Sequence, residues 1–191
     1  MPLTGQIRIG GSKIVFRADF THRIIFLRGG IDSESANDLI QQLIFLNAKD
    51  PEETIDLYIN SPGGAVSDGL AIIDAMFCIK APIRTICIGR ACSMAAWILA
   101  AGTKGERYVT PNAEIMLHQM ATTIGESQQT SHLHSYAGHM IRLQKRLVEL
   151  LSKWTGKPGK KIGRDIEVEL FLTAEEAKNY GLVDHIMEYQ K

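Results

Sequence analysis

What this chain lacks narrows it before any motif is considered. No stretch of its 191 residues approaches the ~18 apolar residues of a membrane span, so no membrane-spanning segment is expected. The N-terminus, MPLTGQIRIGGSK, has none of the apolar run that a secretory signal needs. Net charge is missing too. Lys plus Arg and Asp plus Glu number 21 each, with no basic block, which removes the electrostatic reason to expect nucleic acid or an anionic membrane surface. Cysteine is scarce: Cys78, Cys87 and Cys92 are three in number, and each sits in an apolar run. An odd count builds no disulfide framework, and buried, reduced thiols in a cytoplasmic protein are the expectation. There is no internal repeat and no low-complexity linker.

What remains is an ordinary globular composition, 45% hydrophobic and 22% charged, in a length that suits one well-cored domain. Residues 6–16 (QIRIGGSKIVF) predict two short strands around Gly10-Gly11. After a β-rich run at 23–28, a helix is expected to open at Asp32 or Ser33, with Leu39, Leu43, Ile44 and Leu46 on its stripe. Strands at 55–60 and 83–88 alternate with helices from near Ser67 and from Ser93. That alternation predicts right-handed βαβ crossovers and a largely parallel sheet covered on its faces. Short strands are expected at 107–110 and 114–118, and a long helix from about 131 to 154 carries Ile141, Leu143, Leu147, Leu150 and Leu151 at helical spacing. Gly156-Lys157-Pro158-Gly159 reads as its break, before a short helix (TAEEAKNYG) and a last strand (LVDHIM).

Three places could carry chemistry. In Gly89-Arg90-Ala91-Cys92-Ser93-Met94-Ala95-Ala96 a strand runs through small residues into a serine and then a helix. Ser93 is there either a helix cap or a nucleophile at the strand's carboxyl end, beside unpaired N–H groups that favour negative charge. Asn60-Ser61-Pro62-Gly63-Gly64 is either a tight strand-to-helix turn or an oxyanion site with closely approaching backbone N–H groups. His118 ends the strand Ile115-Met116-Leu117, as an ordinary strand-end histidine or a base. His132, His134 and His139 have no cysteine partners, and no metal site is expected.

Together these stretches resemble the Clp protease proteolytic subunit family over about residues 23–187. The resemblance rests on INSPGG at 59–64, A-x-SMA at 91–95, PNAEIMLHQ at 111–119 and FLTAEEAKNYGLVD at 171–184. It implies an α/β fold, a crotonase-like spiral of βαβ units with a protruding handle helix at about 131–154. Residues 1–22 then form a divergent N-terminal segment, and 23–191 a single peptidase domain. The implied activity is that of a serine endopeptidase, with Ser93 as nucleophile, His118 as general base, and the backbone N–H groups of Gly64 and Met94 as the oxyanion hole. The family's third triad member lies in a D-x-x-R-D-x-F pattern, which here reads Asp165-Ile166-Glu167-Val168-Glu169-Leu170-Phe171. Anchored on Phe171-Leu172-Thr173-Ala174, the triad position is Glu169, with Asp165 a turn earlier as the reserve. No cofactor is implied for this chain, since ATP belongs to a partner AAA+ unfoldase. The implied substrates are unfolded proteins or peptides, and the implied assembly is a ring homo-oligomer, a double heptamer, whose rings stack through the leucine stripe of the handle.

Several positions depart from the family pattern. Val168 replaces an arginine used between rings, Met120 replaces the proline of His-Gln-Pro, and Asp56 replaces one of two tyrosines in the strand before SPGG. Residues 122–127 (TTIGES) replace a glycine-rich segment that lines substrate. Glu169 and the changed substrate segment motivate a rival reading, a catalytically weak ring subunit with a structural or regulatory role, against which the intact Ser93 and His118 stand. A second rival is a fold relative acting on acyl-CoA thioesters, which has no need of a serine and a histidine so placed.

Overall fold

The computed structural model describes residues 5–9, 12–16, 21–121 and 130–189. Strands β1 (Gly5–Ile9) and β2 (Ser12–Phe16) pair antiparallel, and the turn at Gly10-Gly11 lies outside the described residues. The TTIGES segment also lies outside them.

β3 (Ile24–Ile31) leads into α1 (Ser33–Lys49), and Asp32 sets where that helix starts. Its carboxylate accepts from Ser35 N at 2.8 Å while Ser35 Oγ accepts from Asp32 N at 3.0 Å, a reciprocal cap that satisfies two otherwise orphaned donors. Ala36, Leu39, Leu43 and Leu46 are buried along one stripe. Ile44 corrects the sequence expectation: it follows Leu43 by about 100° of helical turn and is 54% exposed. The far end of α1 is closed by Arg23, whose buried guanidinium donates to the carbonyls of Leu46, Asp50, Glu53 and Thr54.

The chain then alternates through β4 (Ile55–Gly64), α2 (Val66–Cys78), β5 (Ile83–Cys92), α3 (Met94–Ala100), β6 (Arg107–Val109) and β7 (Glu114–Leu117). After α4 (Thr130–Thr155) come α5 (Gly159–Asp165), β8 (Leu170–Leu172), α6 (Ala174–Tyr180) and β9 (His185–Ile186). The main sheet runs β3-β4-β5-β6-β9, all parallel, and β7 joins β5 in parallel and carries β8 antiparallel. This is a mixed α/β fold around a mainly parallel sheet. α5 and β8 were not expected from the sequence.

One face of the sheet buries Ile25, Leu27, Ile55, Leu57 and Ile59; α1 and α3 pack on the sheet, and α2 packs against both helices. The other face is only partly covered: Phe26 stacks on Tyr58 at 5.5 Å between centroids, yet Phe26 and Ile88 are each 45% exposed. The expectation of a sheet covered on both faces therefore fails for this chain alone. Cys87 and Cys92 are buried, but Cys78, at the end of α2, is exposed, against expectation.

α4 is 26 residues, about 39 Å long. Among the described residues, those of α4 that pack on the core lie in its second half. Leu147 and Leu151 are buried in the chain's own core, and the Trp97 indole N–H donates to Leu147 O at 3.0 Å. Leu143 and Leu150 pack partly against the same core, whereas Ile141 stands 69% exposed. The leucine stripe thus faces inward, which corrects its assignment to contacts between rings.

Candidate active site

The geometry of Ser93 follows from a change of partner along β5. Thr85, Ile86 and Cys87 pair with β6, but Arg90, Ala91 and Cys92 pair with β7 in the register Cys92↔Met116. The changeover aligns the carboxyl ends of β5 and β7, the side of an open α/β sheet where ligands bind. Ser93 lies one residue beyond this register on its strand and His118 two beyond on its own. Ser93 Oγ and His118 Nε2 come within 2.8 Å.

Ser93 is held there in an unusual conformation. Its φ of 51° and ψ of −134° lie in a region that an L-residue enters at a cost of about 1–3 kcal/mol. Ser93 N donates to Met116 O and Ser93 O accepts from Ala96 N, both at 2.8 Å, so the neighbouring strand and helix hold the strain in place. The hydroxyl makes no capping bond to α3, which leaves it to the imidazole. Behind it α3 is buried along its whole length.

Gly63 explains the glycine pair. With φ at 87°, a Cβ there would lie 2.5 Å from Cys92 O, 2.7 Å from Ser93 Cβ and 2.9 Å from Met94 N. Only a residue without a side chain lets the end of β4 come this close to the Ser93 backbone. Ala65 N donates to Ile31 O at 2.8 Å, so β3 is engaged by the residue after Gly64. Gly64 and Met94 both line the cleft beside Ser93 and His118, together with Val66, Trp97, Met120 and Leu147.

Glu169 and Asp165 differ in their surroundings. The β7·β8 register ends at Leu117↔Leu170, which leaves His118 and Glu169 each one residue beyond the last pair. The Glu169 side chain is exposed and makes no hydrogen bond or ion pair among the described residues, and no described carboxylate bonds to His118. Asp165 is engaged elsewhere, accepting from Lys161 Nζ at 2.9 Å and from Tyr180 Oη at 2.8 Å. Burial raises its pKa, but the bonds from Lys161 and Tyr180 outweigh it and hold the carboxyl below the ordinary range. The Tyr180 hydroxyl is pushed up in turn, by burial and by that bond to Asp165.

His118 is the first residue beyond β7. Beyond it Gln119 N donates to Ile166 O at 2.8 Å, Gln119 Nε2 donates to Glu167 O at 3.1 Å, and Met120 N donates to Gln144 Oε1 at 2.8 Å. Sequence reasoning gave Gln144 and Trp97 no role near the site, because contacts between distant segments leave no local signal. His134 and His139 are exposed on α4, and the His132 side chain lies outside the described ones. Among the described residues, no helix is long and apolar enough to cross a membrane.

A paired serine and histidine at adjacent strand ends, beside a glycine turn and a buried helix start, is an arrangement suited to acyl transfer. The sequence profile of the Clp protease family matches residues 12–190. That match takes in all the elements from β2 to β9, and the chain belongs to the Clp protease family.

Proposed function

We propose that this chain is a serine endopeptidase subunit in which Ser93 attacks the scissile carbonyl and His118 takes its proton, later passing it to the leaving amine. The observation that carries this reading is the 2.8 Å contact between Ser93 Oγ and His118 Nε2, made by a serine whose backbone is strained and whose hydroxyl caps nothing. The N–H groups of Gly64 and Met94 are the oxyanion donors in this reading, each commonly worth about 3–4 kcal/mol to the transition state. Their support is the contact of the Gly63 turn with Ser93 and Met94 N. Glu169 is the third member in this reading, supported by its place one residue outside the β7·β8 ladder, as His118 is on the other strand. Its carboxylate would there fix the imidazole's tautomer and stabilise the cation.

By family membership the working form is a ring homo-oligomer, a double heptamer, that cleaves peptides unaided. Unfolded proteins require ATP hydrolysis by an AAA+ partner, and this chain itself uses no cofactor. α4 is the handle in this reading, and β3 to β9 with their helices form the crotonase-like spiral. Its exposed first half, rather than the leucines that face the core, is left for contacts between rings. Hydrolysis of a fluorogenic peptide by wild type and by Ser93→Ala tests the assignment. Loss of hydrolysis with unchanged particle size supports it, and undiminished hydrolysis removes it.

A further inference from the structure

We infer that Gln144, on α4, is a positioning residue for the catalytic histidine, acting through the backbone N–H of Met120. The inference rests on the peptidase reading of Ser93 and His118. The β7·β8 ladder ends at Leu117↔Leu170, so His118 itself lies beyond the last paired residue. Among the described residues, two anchors hold the backbone after it. Gln119 is tied to the carbonyls of Ile166 and Glu167, and Met120 N is tied to Gln144 Oε1 at 2.8 Å.

The two anchors differ in kind. The first is an extension of the sheet edge. The second is a single side chain reaching from α4, whose described core-packing residues lie in its second half. Arg142, Lys145 and Arg146, its neighbours on α4, are exposed, whereas Gln144 is half-buried and turned toward the cleft segment. Met120 lines the cleft and packs partly against the core, so its backbone amide is drawn away from water and needs an acceptor. The sequence supplies a reason for this acceptor. Where the family pattern has proline, which carries no N–H and a fixed φ, this chain has methionine, which leaves a donor and a freer backbone two residues from His118. Gln144 Oε1 accepts from that donor and restores the restraint.

A displacement of ~1 Å at a reacting group can cost about 10²-fold in rate. Losing one of two anchors is therefore expected to lower activity about tenfold. The readout is the rate at which a fluorophosphonate probe labels Ser93, alongside kcat for a fluorogenic peptide, with particle size and thermal midpoint measured on the same samples. Gln144→Leu fills a similar volume but accepts no hydrogen bond, and about tenfold slower labelling is expected. Gln144→Glu keeps an acceptor oxygen in place and should label within about twofold of wild type. In a Met120→Pro background the donor is gone, so adding Gln144→Leu should change nothing further. Equal rates for wild type, Leu and Glu variants overturn the proposal. So does a Leu effect of the same size in the Met120→Pro background, or a loss shared by Glu and Leu. Absence of labelling in wild type would instead remove the peptidase reading, and this proposal with it.

Discussion

Gly63→Ala is the substitution whose consequence can be worked most fully from the structure. The new methyl group would meet Cys92 O, Ser93 Cβ and Met94 N at 2.5, 2.7 and 2.9 Å, short of the 3.4 Å at which ordinary van der Waals contact begins. The shortfall is about 0.5–0.9 Å, and two of the three obstacles are backbone atoms that no rotamer change can move. The end of β4 and the Ser93 segment must separate. A Cβ at positive φ costs roughly 1–2 kcal/mol, and an extra methyl in a filled site typically 1–3 kcal/mol. The sum is about 2–5 kcal/mol. The same separation carries Ser93 and Met94 N away from the other half of the site, so a fall of about 10–100-fold in kcat is expected.

Gly156→Ala is the matched control. Its φ is 73°, and no atom lies within 4 Å of the added carbon. It carries the conformational cost alone, about 1–2 kcal/mol, and should leave peptide hydrolysis unchanged. Urea unfolding at fixed protein concentration, together with hydrolysis of a fluorogenic peptide, measures both variants. If Gly63→Ala matches Gly156→Ala in both stability and kcat, the close approach of the two backbones is not what builds the site.

Further outcomes follow from groups away from Ser93. Arg107 is 5% exposed and bonds both Asp184 oxygens, at 2.8 and 2.6 Å, so Asp184→Asn should cost about 3–5 kcal/mol by leaving a buried guanidinium half-paired, measurable as a lower urea midpoint. Burial raises the Asp184 pKa, but the bonds from Arg107 and from the Gly105 and Arg107 amides bring it below the ordinary 3.8. Its stabilisation is therefore complete above that value and is lost as pH falls through the lowered folded value, an acid-side loss that Asp184→Asn should flatten. Cys87 is pushed up to about 12 by burial, and Cys92 is buried too, whereas Cys78 is exposed. A thiol reagent should thus find one fast site per folded chain, removed by Cys78→Ser. Glu169→Gln should lower kcat steeply if the carboxylate turns to His118, since the analogous amide change in a serine protease loses about 10⁴-fold. Equal activity of wild type, Glu169→Gln and Glu169→Asp would take Glu169 out of the triad.

Local chemistry explains what the sequence made legible. The Asp32 cap and the Thr173-to-Glu176 capping box put helix starts where Ser, Thr or Asp precedes an apolar run. The β4 and β5 strands follow from their apolar runs, and the stretches around Ser93, Gly63 and His118 could be singled out by residue type. That Ser93 and His118 meet depends on β5 exchanging β6 for β7, a pairing between distant segments that no window of sequence contains. The leucine stripe shows the limit of periodicity, which says that one face of α4 is buried but not against what. Gly156-Lys157-Pro158-Gly159 was read as a break alone, although a proline at a helix N-terminus is equally a start, and α5 begins there. The Met120–Gln144 bond was half legible: the free amide at Met120 could be marked from the sequence, but a glutamine on a helix surface is ordinary until its acceptor meets such an amide.

The most direct test of the central claim is the site of covalent labelling by a fluorophosphonate probe, mapped by mass spectrometry in wild type and in His118→Ala. An adduct on Ser93 that forms rapidly in wild type and at least about 10²-fold more slowly without the imidazole is the predicted result. Labelling of another residue, or labelling of Ser93 at the same rate in both proteins, would contradict it.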